Sequence, residues 1–238
     1  MPRTRKPAKP KISEADLCRE FITWAALQGW TAYAETGGFD LVLAKDGVQI
    51  GVQAKLRFNA TLLRQIIPGK YSNVTEGPDY LAILLPDYDS DVRDVADFCG
   101  FAFFHRATAQ RCFTNDVGEF SPRLEPSRWH HWYFEKPVTL PDYVPDVSAG
   151  ASAPRQLSVW KVNALRICAV IELQGFVETK DFRRFGIDYR RWEISGWLVR
   201  EHLRKPARYT AGPKLKFAEQ HPTIYKQVIE DLRKDYAT

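Results

Sequence analysis

The stretch from Phe39 to Leu56 constrains this chain more than any other. Phe39 to Ala44 and Val48 to Leu56 are short, largely apolar runs, and Lys45-Asp46-Gly47 lies between them. An Asp-Gly pair between two such runs marks a tight hairpin. Strand alternation then places Val48, Ile50, Val52 and Ala54 on one face of the second strand, with Gln49, Gly51, Gln53 and Lys55 on the other. Burying unpaired polar groups costs several kcal/mol, so a glutamine and a lysine on a buried strand imply a polar task.

The elements around the hairpin complete an α/β frame. Ser13 is a helix N-cap followed by Glu14 and Asp16, and Leu17, Phe21, Trp24 and Leu27 recur at helical spacing. This predicts a helix from Glu14 to Leu27, ended by Gly29. Trp30 to Ala34 reads as a first strand. After the hairpin come a helix from Ala60 to Ile67, a strand from Tyr80 to Leu85, a further helical segment and a strand from Phe101 to His105. The order predicts a mixed sheet flanked by helices.

Composition shifts divide the chain into a basic tail over residues 1–12, a domain over 13–136, a Pro/Gly/Ser linker over 137–156 and a domain over 157–238. The tail has no apolar stretch behind its charged start and does not read as a secretory signal. No apolar run is long enough to span a bilayer, so no membrane is expected. Cys18, Cys99, Cys112 and Cys168 form no C-x-x-C pair, and we read them as reduced thiols of a cytoplasmic protein. His130 and His131, adjacent in an aromatic stretch, would face opposite ways on a strand and make poor metal geometry.

Charge is uneven. From Arg155 onward 17 Lys and Arg face 10 Asp and Glu, whereas the rest of the chain holds 17 basic and 19 acidic residues. A basic C-terminal module suggests a polyanion partner. Its pattern is a helix from Leu157 to Gly175, a short helix from Lys180 to Phe185 capped by Thr179, and a third from Tyr189 to Glu201 capped by Asp188. Ala207 to Thr210 and Lys214 to Phe217 then read as strands around a Gly212-Pro213 tip, with a closing helix from Thr223 to Lys234. This resembles a winged helix-turn-helix domain. Tyr189, Arg190 and Arg191 would enter a DNA groove, and Arg183, Arg184, Arg208, Lys214 and Lys216 would contact phosphates. A winged helix used for protein contacts, with Trp and Tyr as anchors, is the competing expectation.

Asp40 on the second strand and Gln53 on the third, thirteen positions on, can bring a carboxylate and an amide oxygen to one hard cation. Lys55 shares the face of Gln53 and could orient a water or offset charge on a phosphorane. The helix, hairpin and D…Q-x-K pattern resembles the PD-(D/E)XK nuclease superfamily over roughly residues 13–106. That resemblance implies a restriction-endonuclease-like αβββαβ fold and Mg²⁺- or Mn²⁺-dependent hydrolysis of DNA phosphodiesters, as an endonuclease or exonuclease. Asp40 and Lys55 match the superfamily pattern, and Gln53 stands where Glu or Asp is usual. The helix acid would be Glu20, with Glu14 as the alternate. Gln65 matches a glutamine that some branches place on the following helix, with Tyr71 downstream. Glu20, Asp40 and Gln53 would hold the metal, and Arg57, Asn59, Arg64, Lys70 and Asn73 could line the DNA approach. Many nucleases of this superfamily are dimers, which leaves a homodimer open. A nuclease fold that binds DNA without cutting it is the alternative.

Overall fold

The computed structural model describes residues 12–67, 75–107, 120–122, 124–150, 157–201 and 205–236. The chain divides into two compact units, the first comprising residues 1–140 and 147–155 and the second 141–146 and 156–238.

The first unit opens with α1 (Glu14–Leu27). Ser13 and Asp16 form a reciprocal capping box, and Leu17, Cys18, Phe21, Trp24 and Ala25 make the buried stripe. Then follow β1 (Thr31–Thr36), β2 (Phe39–Lys45), β3 (Val48–Ala54), α2 (Ala60–Ile66), β4 (Tyr80–Leu85), α3 (Ser90–Cys99), β5 (Ala102–Arg106) and β6 (Phe120–Ser121). They form one six-stranded sheet in sequence order. β1, β2 and β3 are antiparallel neighbours, β3, β4 and β5 run parallel, and β6 returns antiparallel. The β2–β3 turn pairs Lys45 with Val48, and Asp46 and Gly47 both adopt positive φ (50° and 82°), as the Asp-Gly pair predicts.

The sheet has a core on each face. Leu41, Leu43, Ile50, Val52, Ala54, Ala82, Leu84 and Phe104 pack with the α1 stripe. Leu81, Ile83, Leu85, Phe101 and Phe103 pack with Leu62 and Ile66 of α2 and Val92 and Ala96 of α3. The alternation expected for β3 is therefore present. Its apolar residues go to the α1 core, and Gln49 and Gln53 are nevertheless buried. His130 and His131 pack among aromatics, His130 against Trp132 and His131 against Tyr80 and Tyr133.

The second unit contains α4 (Val159–Gln174), β7 (Val177–Glu178), α5 (Thr179–Arg184), α6 (Tyr189–Ile194), β8 (Leu198–Arg200), β9 (Arg208–Ala211), α7 (Phe217–Gln220) and α8 (Pro222–Tyr236). Its three strands form an antiparallel sheet in the order β7-β9-β8. Val162, Leu165, Phe182, Trp192, Tyr209, Ile224 and Val228 centre its core.

Four expectations need correction. The third helix of this unit stops at Ile194, because the chain reverses there: Trp197 N–H donates to the Trp192 carbonyl at 3.0 Å, and the two indoles meet edge to face at 5.5 Å. Lys214 to Phe217 is no strand, and Gly212 is no tip. Gly212 is buried where the chain crosses Gly196 and Trp197, and an added Cβ would lie 2.9 Å from the Trp197 carbonyl carbon. The β8–β9 connection falls over residues 201–207 instead, of which 202–204 lie outside the described residues. Glu178, not Thr179, caps α5, in a box with Asp181.

The fourth correction is the expected linker. Val138 exchanges two hydrogen bonds with Gln49, and Ala149 is a buried core residue of the first unit. The segment 141–146 belongs to the second unit. There Tyr143 Oη donates to Asp231 at 3.0 Å, Arg166 donates to Asp142 at 2.6 Å, and Asp146 bonds His221 Nδ1 at 2.8 Å. Low apolar content predicts a weak core contribution, and it misses backbone and carboxylate groups that dock by hydrogen bonding. Cys18, Cys99 and Cys168 are free thiols, and Cys112 lies outside the described residues. Among the described residues no helix is long and apolar enough to cross a membrane.

Candidate active site

Asp40 and Gln53 meet where β2 and β3 pair, since Leu41 stands opposite Val52. Asp40 Oδ2 accepts from Gln53 Nε2 at 2.6 Å and from the Ala54 backbone N–H at 2.8 Å. Lys55 follows the end of β3, its backbone N–H held by the Leu84 carbonyl at 3.0 Å. Its Nζ donates to Glu14 Oε2 at 3.0 Å, with both side chains mostly buried. Two strands, with β4 holding the Lys55 backbone, and the first turn of α1 thus deliver Asp40, Gln53, Lys55 and Glu14 to one end of the sheet.

Burial raises the Asp40 pKa above the usual aspartate value. The Ala54 N–H and the Lys55 charge oppose that shift, and Glu14 adds to it. Cys18 reports the same field from the α1 side. Its thiol is pushed up to about 12, first by burial and then by the charges of Asp40, Glu35 and Glu14, with Lys55 opposing.

Gln53 Oε1 is buried and has no hydrogen-bond partner. An unsatisfied buried acceptor costs about 1–3 kcal/mol, so its retention points to a use. The available donors are hard oxygens, namely the Asp40 and Glu14 carboxylates and the Gln53 amide, a set that suits Mg²⁺ or Mn²⁺. Among the described residues no three His, Cys, Asp or Glu converge into a cluster that could hold a metal ion. The orphaned amide oxygen would have to complete the set.

Glu20 is not at this site. Its carboxylate pairs with Arg106 of β5, because it lies well along α1 from the end that faces Lys55. Glu14, the alternate, stands in its place. Gln65 is exposed on α2, whose buried side is Leu62 and Ile66. Arg57 and Arg64 are exposed, and Arg57 lines a cleft of about 460 Å³ that it shares with Asp89 and Asp91. Those acids oppose a phosphate backbone there. Asn59 is spent on capping α2, accepting from Leu62 N–H at 2.9 Å. Lys70, Tyr71 and Asn73 lie outside the described residues.

Two residues escape a sequence reading. Glu35 is buried, has φ of 51°, and its Oε1 accepts from the Gly150 N–H at 2.7 Å. Gly150 in turn rests against Glu14 and Cys18. The only sequence signal is an acid just before the Gly37-Gly38 turn.

In the second unit Arg183, Arg190, Arg191, Lys214 and Lys216 are exposed and make no ion pair among the described residues. Arg190 and Arg191 share the outer side of α6 with Ile194, which is 87% exposed. Arg208 is committed elsewhere. Its Nε lies 3.3 Å from the buried Glu178 carboxylate, and its guanidinium sits 3.9 Å over the Phe176 ring. Arg184 pairs with Asp235 at 2.8 Å, and Tyr189 packs on Phe182 and Tyr209. Neither a family model, nor a curated protein, nor a solved structure matches this chain.

Proposed function

We propose that the first unit is a Mg²⁺- or Mn²⁺-dependent nuclease-type domain that hydrolyses DNA phosphodiesters, and that the second unit is a winged helix that delivers it to DNA. The observation that carries this reading is the buried, unpartnered Gln53 Oε1 beside Asp40, with Lys55 and Glu14 at the same sheet end. The element order α1-β1-β2-β3-α2-β4 supports a nuclease-like frame. The order helix, strand, helix, helix, strand, strand in the second unit, with its β7-β9-β8 sheet, supports a winged helix.

Asp40, Gln53 and Glu14 would hold the metal, which supplies Lewis-acid polarisation of the phosphate and acidifies a bound water. Lys55 places an ammonium where negative charge grows on the phosphorane, and Glu14 fixes that ammonium in position. Burial of Asp40 keeps bulk water from competing for its oxygens. On the second unit, the unpaired cations of α6 and the residues around Lys214 offer contacts to phosphates and base edges.

A DNA-binding protein that keeps the fold without the reaction is the second reading. One observation favours it: Gln53 turns its Nε2, not its Oε1, toward Asp40, and so occupies a carboxylate oxygen the metal needs. The deciding experiment incubates purified protein with single-stranded, duplex and branched DNA, with Mg²⁺, Mn²⁺ or EDTA. Metal-dependent cleavage is expected. Binding of DNA with every substrate left intact hands the case to the second reading.

A further inference from the structure

We infer that Glu35 and Gly150 are positioning residues for the candidate active site, acting through Glu14 on Lys55. This rests on the nuclease reading only for its catalytic consequence. The brace itself is a statement about packing in the first unit.

The chain of contacts is continuous. Glu35 Oε1 accepts from Gly150 N–H at 2.7 Å, a short bond between a buried carboxylate and a backbone donor. That bond seats Gly150 with no room to spare. A Cβ built there would lie 3.2 Å from the Glu14 carbonyl carbon, 3.2 Å from Glu14 Cβ and 3.4 Å from Cys18 Sγ. Glu14 then reaches Lys55 Nζ at 3.0 Å. Glu14 is the first residue of α1, where a helix frays most easily. The Ser13–Asp16 capping box fixes the start of the helix, and the chain at Gly150 packs against it from outside.

One backbone feature, at Glu35, shows that the arrangement is maintained against local preference. Glu35 adopts φ of 51° and Gly150 φ of 71°, both in the left-handed region. For glutamate that conformation costs about 1–2 kcal/mol, and glycine would carry it without strain. A glutamate kept where glycine is easier points to its carboxylate, and that carboxylate holds Gly150. The loop from Val147 to Gly150 thereby becomes a wall of the site, although it begins 92 residues after Lys55 and 107 after Asp40 in the sequence.

The test couples stability with turnover in the full chain. Glu14→Gln is measured by urea denaturation in the native background and in Glu35→Ala and Gly150→Ala backgrounds. Sub-additive shifts in midpoint are expected, because each background has already loosened Glu14. Glu35→Gln keeps an acceptor and restores near-native coupling. Glu35→Gly relieves the backbone and still loses the coupling, which separates the brace from mere folding. In DNA cleavage assays Glu35→Ala and Gly150→Ala lower kcat about ten-fold with KM unchanged, as expected when a transition-state contact is misplaced. Additive midpoints in every background overturn the brace whether or not the protein cuts DNA. Coupling without cleavage in the native protein keeps the brace and removes the nuclease reading alone.

Discussion

Gln49 and Gln53 lie on one face of one strand, and the protein treats them in opposite ways. Gln49 gives Nε2 to the Val138 carbonyl at 3.0 Å and takes the Val138 N–H on Oε1 at 2.8 Å. Every polar atom of its amide faces backbone, and its role is to pin residue 138 to the sheet. Gln53, equally buried, gives Nε2 to Asp40 and leaves Oε1 with nothing. The first end of β3 spends its glutamine on architecture. The second holds an amide oxygen that folding does not use. Residue type and exposure are the same at both ends, so only the partners separate a structural polar group from one held for chemistry.

The comparison breaks most visibly at the catalytic end. Lys55→Ala should reduce metal-dependent DNA cleavage by about 10²–10³-fold and leave DNA binding by fluorescence anisotropy nearly unchanged. A parallel loss of binding would make Lys55 a contact rather than a catalytic group. Next in size is the architectural end. Gln49→Ala strands the buried Val138 amide and carbonyl and should cost about 2–4 kcal/mol in urea denaturation. A cost under about 1 kcal/mol would mean that water takes over the two bonds.

Smaller effects sharpen the contrast. Gln53→Met removes the orphaned oxygen together with the Nε2 donor to Asp40; the two effects oppose, and the net change in stability should stay under about 1 kcal/mol in metal-free buffer. A loss as large as that of Gln49→Ala would make the two glutamines equivalent. Gln53→Glu should raise Mn²⁺ affinity about ten-fold by adding an anion to the oxygen set, while lowering metal-free stability, because two carboxylates then face each other. Titration calorimetry that finds no tighter binding would speak against a metal site at Asp40.

The smallest expected effect is a pH dependence. Burial raises the pKa of Asp40 in the folded protein, so the native state binds its proton more tightly than the unfolded chain does. That contribution is complete below the ordinary aspartate pKa and fades as pH climbs through the raised value. Asp40→Asn lacks it. The variant should therefore gain stability relative to the native protein across that window and hold a constant difference above it. A difference that stays flat with pH would place Asp40 in a more solvated setting.

The parts of the fold that could be read in the sequence are those set by short-range patterning. Ser13 with Asp16, the α1 stripe as far as Trp24 and the Asp46-Gly47 turn each need only a few neighbours, and each stands where expected, whereas Leu27, expected in the same stripe, is exposed in the last turn. The pairing of Asp40 with Gln53 followed from the hairpin register. What could not be read depends on distant chain. Glu14 and Glu20 are both acids on α1, and only the position of Arg106 on β5 decides which is engaged elsewhere. Arg208 looked like a phosphate contact until Glu178 and Phe176 claimed it. The crossing at Gly212 required knowing that Trp192 and Trp197 fold back on each other.

The alternation of chain membership over residues 141–155 has a practical outcome. One peptide-bond scission anywhere in that span cannot yield two complete pieces. A cut after residue 140 deprives the N-terminal fragment of Ala149 and Gly150, and a cut after residue 156 strips Asp142, Tyr143 and Asp146 from the C-terminal one. Transplanting either half onto another protein therefore calls for a circularly permuted or overlapping design, in which the shared ribbon is supplied twice.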